Sequence, residues 1–415
     1  MKNPLKLKHE KTAPTLTRDI LAMARLGVDA VEGVTDMVEA LHRTIVTLAG
    51  LTRHVGLAGE RRPSSLVYGT IRKVNRLVGK GLDAQLNNYL DDTGIMARPL
   101  ARHAVVSALN GVIGDRLHAQ GSPLAIRMSL RYAGQSLRPD DIAPLLHQSK
   151  GKVLLMLHGL CMNDMQWQRQ GQDHGKQLAD TLGYVPLYLH YNTGLHISQN
   201  GRELAALLES LFPAQGPLTE LHMLCHSMGG LVARSACHYA GHAGQAWANS
   251  LENIVFLGSP HQGAPLEKGG NWLGQLLTIS PYSAPFVPLA TLRSAGITDL
   301  RHGSLCDEDW QGKDRFAEDK KPHPLPLPSA ARCFTLAGEA GESGGTLARH
   351  VIGDGLVPVK SALGWHSDNR RNLNFANENQ RVIKKINHMQ LLNDPRVYQM
   401  LQHWFSDRES GRTAL

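Results

Sequence analysis

The sequence predicts an α/β protein: a mainly parallel sheet with helices on both faces, preceded by an all-helical unit and interrupted by a cap insertion. Three observations predict it. From residue 152 onward, short apolar runs alternate with segments of helical periodicity, the pattern of strands joined by crossover helices. Before that point the apolar positions recur at helical spacing only. Between 261 and 331 a long stretch is poor in regular signals. At 415 residues and 42% hydrophobic content, the chain can bury one large core and a smaller one.

The first unit, residues 1–134, reads as basic and helical. Segment Thr15–Leu51 places Ile20, Met23, Leu26, Val31, Val34, Val38, Leu41 and Ile45 at helical spacing, and Ser64–Leu90 continues with Val67, Ile71, Val74, Leu77 and Leu82. Pro99–Leu117 and Pro123–Tyr132 are expected as further helices. Residues 1–150 hold 21 Lys+Arg against 13 Asp+Glu, a net of +8. The remainder holds 44 − 21 = 23 against 36 − 13 = 23, so the whole excess lies in the first unit. Residues 135–150, with Gly134–Asp141 and Gln148–Gly151, read as a polar linker.

Residues 151–415 form the expected α/β domain. Strands are expected at 152–157, 185–190, 219–225, 253–257, 332–337 and 380–384, with helices at 170–182, 198–212, 228–240 and 395–405. The insertion at about 261–331 is expected to form a cap. Gly269–Leu292 has no charged residue, and Pro281, Pro285 and Pro288 oppose a continuous helix. Trp272, Leu276, Leu277 and Phe286 are its candidate substrate-binding residues. His323–Pro328 reads as a stiff extended strap.

Chemistry concentrates at Met223–Gly230, Met-Leu-Cys-His-Ser-Met-Gly-Gly. An apolar strand meets Ser227 in a turn of small residues and a helix follows, the context of a nucleophile elbow. The residues two before and two after the serine must be small, and Cys225 and Gly229 are. The Met228 amide at the helix N-terminus is one candidate oxyanion donor. A second comes from the turn His158-Gly159, which closes the strand 152–157; its donor is Leu160 or Cys161, and His158 is a further candidate at the substrate. His388, after the last apolar run and before the last helix, is the candidate base. Asp354, between two glycines, is the candidate acid, 354 − 227 = 127 residues after the serine and 388 − 354 = 34 before the histidine; Glu339 is its alternative. A serine hydroxyl needs a base to take its proton as it attacks, and the base needs an acid to fix its tautomer.

Together, His158-Gly159, Cys225-His-Ser-Met-Gly229, Gly353-Asp-Gly-Leu-Val-Pro358 and Asn387-His388 resemble the α/β-hydrolase superfamily. The likeness is to its bacterial lipase and esterase branch, including hydrolases similar to GPI-inositol deacylases. Gly258–Pro265 is similar to a segment of those lipases, and the likeness spans residues 150–407. Cys225 departs from the usual first glycine. The resemblance implies a Ser-His-Asp hydrolase of carboxylic esters with lipophilic acyl groups, and no cofactor or metal. A thioesterase or amidase with the same triad is an alternative. So is a docking protein that uses the fold as a scaffold.

Other function classes recede. Five cysteines, an odd number without paired spacing, argue against a disulfide framework and fit a reducing compartment. Four lysines in the first dozen residues lack a following apolar core, so no signal peptide is expected. No apolar run reaches about 18 residues, so no transmembrane segment is expected and a cytoplasmic location is. Nucleic acid is not an expected partner, because the basic unit has few aromatics. Its cluster Arg72, Lys73, Arg76 and Lys80 is instead a candidate for peripheral contact with anionic membrane.

Overall fold

The computed structural model describes residues 99–212, 218–264, 293–314, 321–341 and 353–407. The expected helices at 15–51 and 64–90, the basic cluster at 72–80 and residues 265–292 and 315–320 of the cap, including Trp272, Leu276, Leu277 and Phe286, lie outside the described residues.

Among the described residues, eight strands form one sheet in the order β2-β1-β4-β3-β5-β6-β7-β8. They are β1 (Ser129–Tyr132), β2 (Gln135–Ser136), β3 (Lys152–Leu157), β4 (Val185–His190), β5 (Glu220–His226), β6 (Leu251–Leu257), β7 (Arg332–Glu339) and β8 (Gln380–Lys384). From β4 to β8 every pairing is parallel, while β1 runs antiparallel to β4 and β2. Among the helices of the described residues are α1 (Pro99–Ala119), α2 (Pro139–Ser149), α3 (His174–Leu182), α4 (Ile197–Leu211), α5 (Met228–Ala243), α6 (Ala295–His302) and α7 (Pro395–Ser406). This is the α/β-hydrolase fold.

The central strands are continuous apolar runs because both faces are covered. Five of the six β3 residues and six of the seven in β5 are buried. On one face Leu154, Met156, Leu224, Val255, Phe334 and Leu336 pack with Val397, Leu401 and Trp404 of α7. Gly201 of α4 lets α5 approach closely, since a Cβ there would lie 2.3 Å from Ser235 Oγ.

Four expectations are corrected. Residues 123–132 do not form a helix but end in strand β1, and residues 135–150 are not a linker but hold β2 and α2. Ala133 and Gly134 both take positive φ, 49° and 77°, which permits a two-residue hairpin turn. In α2, Pro139 opens the helix, Asp141 accepts from the Arg138 amide at 2.8 Å, and Ile142, Leu145 and Leu146 are buried. The compact unit containing the sheet begins at His103, not at 151. The reason is packing: α1 is fastened to this unit by Asn192 Nδ2 donating to Gly114 O at 2.9 Å and Ser294 Oγ donating to Gly111 O at 2.6 Å. Helix α3 starts at 174 instead of 170, after a turn at Gln170 and Gly171 with positive φ.

Candidate active site

The site residues gather at the C-terminal ends of the parallel strands, where loops leave the sheet. Ser227 follows β5 with φ 54° and ψ −123°, a conformation an L-residue holds at a cost of about 1–3 kcal/mol. Its amide donates to Leu257 O of β6 at 2.9 Å, and Gly230 N donates back to Ser227 O at 3.1 Å. Gly229 is required by close approach: a Cβ there would lie 2.4 Å from Leu157 O and 2.8 Å from His158 O. Cys225, which departs from glycine at that position, is fully buried in β5, paired with Leu157 of β3 and Phe256 of β6. Helix α5 starts at Met228, directly after the serine.

His388 and Asp354 meet directly. His388 Nδ1 donates to Asp354 Oδ2 at 2.7 Å, and both residues are buried, at 3% and 2% exposure. The other carboxylate oxygen accepts from the amides of Leu356 at 3.0 Å and Val357 at 2.9 Å. The His388 amide donates to Asp354 O at 3.0 Å, so the two loops are stitched twice. Glu339, the alternative acid, ends β7 and is engaged through its carbonyl, which accepts from Ile386 N at 3.2 Å. His388 therefore selects Asp354.

Ser227 joins this pair through its chain neighbours. His226 Nε2 donates to His388 O at 3.1 Å, and the two rings lie 4.5 Å apart. Burial holds the His226 imidazole well below its ordinary pKa, so it is neutral. Gly258, one residue beyond the Ser227 acceptor, has φ 57°; a Cβ there would lie 3.0 Å from Asp354 Oδ2 and 3.1 Å from His388 Nδ1. Gly338 likewise leaves room for Asp354 Cβ, 2.8 Å from where its own Cβ would stand.

The loop after β3 supplies the opposite wall. Gly159 lies against the elbow, where a Cβ would come within 3.0 Å of Ser227 Cβ. Of the two candidate amides, that of Cys161 donates to Thr193 Oγ1 at 3.2 Å. The loop is braced by Arg131 of β1, whose guanidinium donates to Asp164 Oδ1 at 2.9 Å. Helix α1 presses on it too: a Cβ on Gly111 would lie 2.2 Å from Cys161 Sγ.

His158 is placed differently from its expected role at the substrate. It is completely buried, stacks on Tyr191 with ring centroids 4.5 Å apart, and donates from Nδ1 to Gly159 O at 3.0 Å. Burial lowers its pKa to about 3. Its position shapes the turn and gives it no surface to offer a ligand. Sequence reasoning gave no role to His226, Gly338 and Arg131, and marked Gly258 only as the start of the segment Gly258–Pro265. Gly258 could have been suspected from its place at the end of the run Ile254–Leu257; one histidine among 21 carries no such signal.

Among the described residues no group of three His, Cys, Asp or Glu side chains is arranged to hold a metal ion, and no helix is long and apolar enough to cross a membrane.

Comparison with known proteins adds the following. A family model described as a domain of unknown function, DUF7379, matches residues 129–293. No curated protein matches the sequence. Among solved structures, the mature form of Bacillus licheniformis lipase BlEst2 is similar at 18% identity and a TM-score of 0.38, over 66% of this chain and 98% of that one. Aspergillus fumigatus lipase B aligns at 10% identity and a TM-score of 0.40, over 67% of this chain and 56% of its own. YbtT, a type II thioesterase from a yersiniabactin biosynthetic pathway, aligns at 18% identity and a TM-score of 0.35, over 62% and 90%.

Proposed function

We propose that the chain is a serine hydrolase that cleaves carboxylic esters of lipophilic acyl groups. Ser227 is the nucleophile, His388 the base, Asp354 the acid that orients it, and the amides of Leu160 and Met228 the oxyanion donors. The observation that carries this reading is the buried 2.7 Å bond between His388 and Asp354, set beside a serine held at positive φ at the start of a helix.

In this reading His388 Nε2 removes the Ser227 proton as the hydroxyl attacks the acyl carbon. Asp354 keeps Nδ1 protonated and stabilises the imidazolium. The negative oxygen forms next to the N-terminus of α5, a 16-residue helix whose first amides and dipole favour an anion. Each oxyanion donor accounts for about 2.7–4 kcal/mol of barrier. His388 then protonates the departing alcohol, and water enters by the same route to release the acid. The lipophilic preference rests on the uncharged stretch Gly269–Leu292.

A fluorophosphonate probe tests the reading. The wild-type chain should be labelled at Ser227 and hydrolyse a panel of acyl esters, while Ser227→Ala, correctly folded, should do neither. Labelling that persists in Ser227→Ala would remove Ser227 as nucleophile. Running the same acyl chain lengths as thioesters and amides decides the leaving-group class.

A further inference from the structure

Two turns along α5 from the elbow, Arg234 is buried at 3% exposure, on the side of the helix covered by the extended strap 321–328. A buried guanidinium costs several kcal/mol unless an anion compensates it. Arg234 has no such partner among the described residues. One terminal nitrogen donates to Leu325 O of the strap, another faces His261 Nδ1 at 3.4 Å, and Nε has no hydrogen-bond partner at all. If the guanidinium donates to His261 Nδ1, the His261 proton sits on Nε2, which is also buried and unpartnered. The neighbouring thiols do not help. Burial pushes Cys306 and Cys333 up to about 12 and Cys237 upward as well, so they supply no thiolate near neutral pH.

A small cavity opens here. Arg234, His261, Gln262, His323, Leu325 and Arg371 are among the residues that line it. Its free volume is about 20 Å³, room for one atom-sized occupant, since a water needs about 10–15 Å³ measured the same way. Asp309 bonds His323 nearby, but its oxygens are taken: Oδ1 by the amide and ring of His323, Oδ2 by the amides of Leu305 and Cys306. Arg371 is also influenced by Asp368, which is itself paired with Arg370 at 2.8 Å, so three guanidinium groups face two carboxylates and one positive charge is left over. His261 packs in turn against the rings of Phe256 and Phe375, with centroids 4.7 and 5.5 Å away.

We propose that this cavity is a binding site for a single small monovalent anion of halide size, held by Arg234 and Arg371 between α5 and the proline-rich strap. The anion supplies the missing acceptor for Arg234 and neutralises the surplus charge. Its size is set by the cavity, its valence by the local charge balance. Because Arg234 also holds Leu325, an occupied site fastens the strap to the helix that carries Ser227.

Bromide is the probe. Crystals of the full chain soaked in sodium bromide and measured at the bromine edge should show an anomalous peak beside Arg234. In solution, sodium chloride or bromide should raise Tm saturably, by about 2–4 °C, over sodium gluconate at equal ionic strength. Arg371→Met, which leaves the Arg234–Leu325 tie in place, should lose most of that rise. An empty cavity in the anomalous map would overturn the proposal. So would an equal halide response in Arg371→Met, or stabilisation by sulfate with none by halide.

Discussion

At the elbow, Ser227 is held by backbone alone; across the strand edge, His388 and Asp354 are held by side-chain and loop-amide hydrogen bonds. The first arrangement depends on a short contiguous sequence: a buried strand, a positive φ of 54°, and a Gly229 whose hydrogen leaves room for Leu157 O. The second depends on groups 34 residues apart meeting in three dimensions, with four hydrogen bonds focused on one aspartate. Backbone strain fixes a position rigidly but is unforgiving of any Cβ. A hydrogen-bonded pair is forgiving of sequence around it but fails when one partner loses its charge. The comparison predicts different failures in the two regions.

The largest effect is expected where the pair loses its charge. Asp354→Asn preserves the size of the side chain but presents an amide to His388 Nδ1, so the imidazole loses its tautomer and its counter-charge. A fall in kcat of about 10⁴ is expected, as in the serine-protease precedent. Steady-state kinetics on a soluble ester measure it. A fall of less than about tenfold would show that the 2.7 Å bond is structural and that another group orients the base.

Next comes the point at which the two regions touch. Gly258→Ala introduces a methyl group 3.0 Å from Asp354 Oδ2 and 3.1 Å from His388 Nδ1, at φ 57°. The left-handed conformation alone costs an alanine roughly 1–2 kcal/mol. The pair must also shift, and small misplacements of reacting groups cost up to about 10²-fold in rate. A loss of roughly 10–100-fold in kcat with a lowered Tm is expected, while slow fluorophosphonate labelling at Ser227 persists. Unchanged kinetics would mean that the pair tolerates displacement, and the contrast drawn above would weaken.

This division also explains what was legible in the sequence. Strands β3, β5 and β6 were readable because their burial makes them uniformly apolar, and the elbow because its geometry is written in adjacent residues. Asp354 was readable only as a candidate beside Glu339, since the choice is made by loop geometry. The β1–β2 hairpin was not readable. Its turn uses Ala133 at φ 49°, which no local residue preference announces, and its strands are only four and two residues long. Helix α2 was hidden by Pro144 within it and by its polar first turn. The role of His226 was invisible because its partner is a main-chain carbonyl 162 residues away.

A third effect belongs to the loop after β3, which faces the elbow, and is smaller per unit of pH. His158 is buried and neutral, its pKa lowered from 6.5 to about 3 by desolvation, so the folded state refuses a proton that the unfolded state accepts. The sign follows: this contribution to stability is fully present above pH 6.5 and is lost as pH falls from 6.5 toward 3. The slope is about 1.4 kcal/mol per pH unit for each such histidine. His226 shifts in the same direction and adds to it. Urea unfolding at pH 7, 6, 5 and 4 should show the decline, and His158→Gln should be less stable at pH 7 but have a shallower acid limb. An identical acid limb in the variant would remove His158 as a contributor.

The smallest effect is expected from Glu339→Gln, and it sharpens the comparison most cheaply. Glu339 lies at the end of β7, buried at 7% exposure, with Gly338 beside it making room for Asp354. Its carbonyl accepts from Ile386 N, which anchors the strand carrying the approach to His388. That bond belongs to the main chain and survives any change of side chain. Glutamine matches glutamate in volume, so packing at the strand end is preserved as well. If the base is oriented by Asp354, Glu339→Gln should leave kcat and its pH profile near wild type. If instead kcat collapsed here and held in Asp354→Asn, the acid's role would pass to Glu339, and the hydrogen-bonded half of the site would lie at a strand end, fixed by the same backbone rigidity as the elbow.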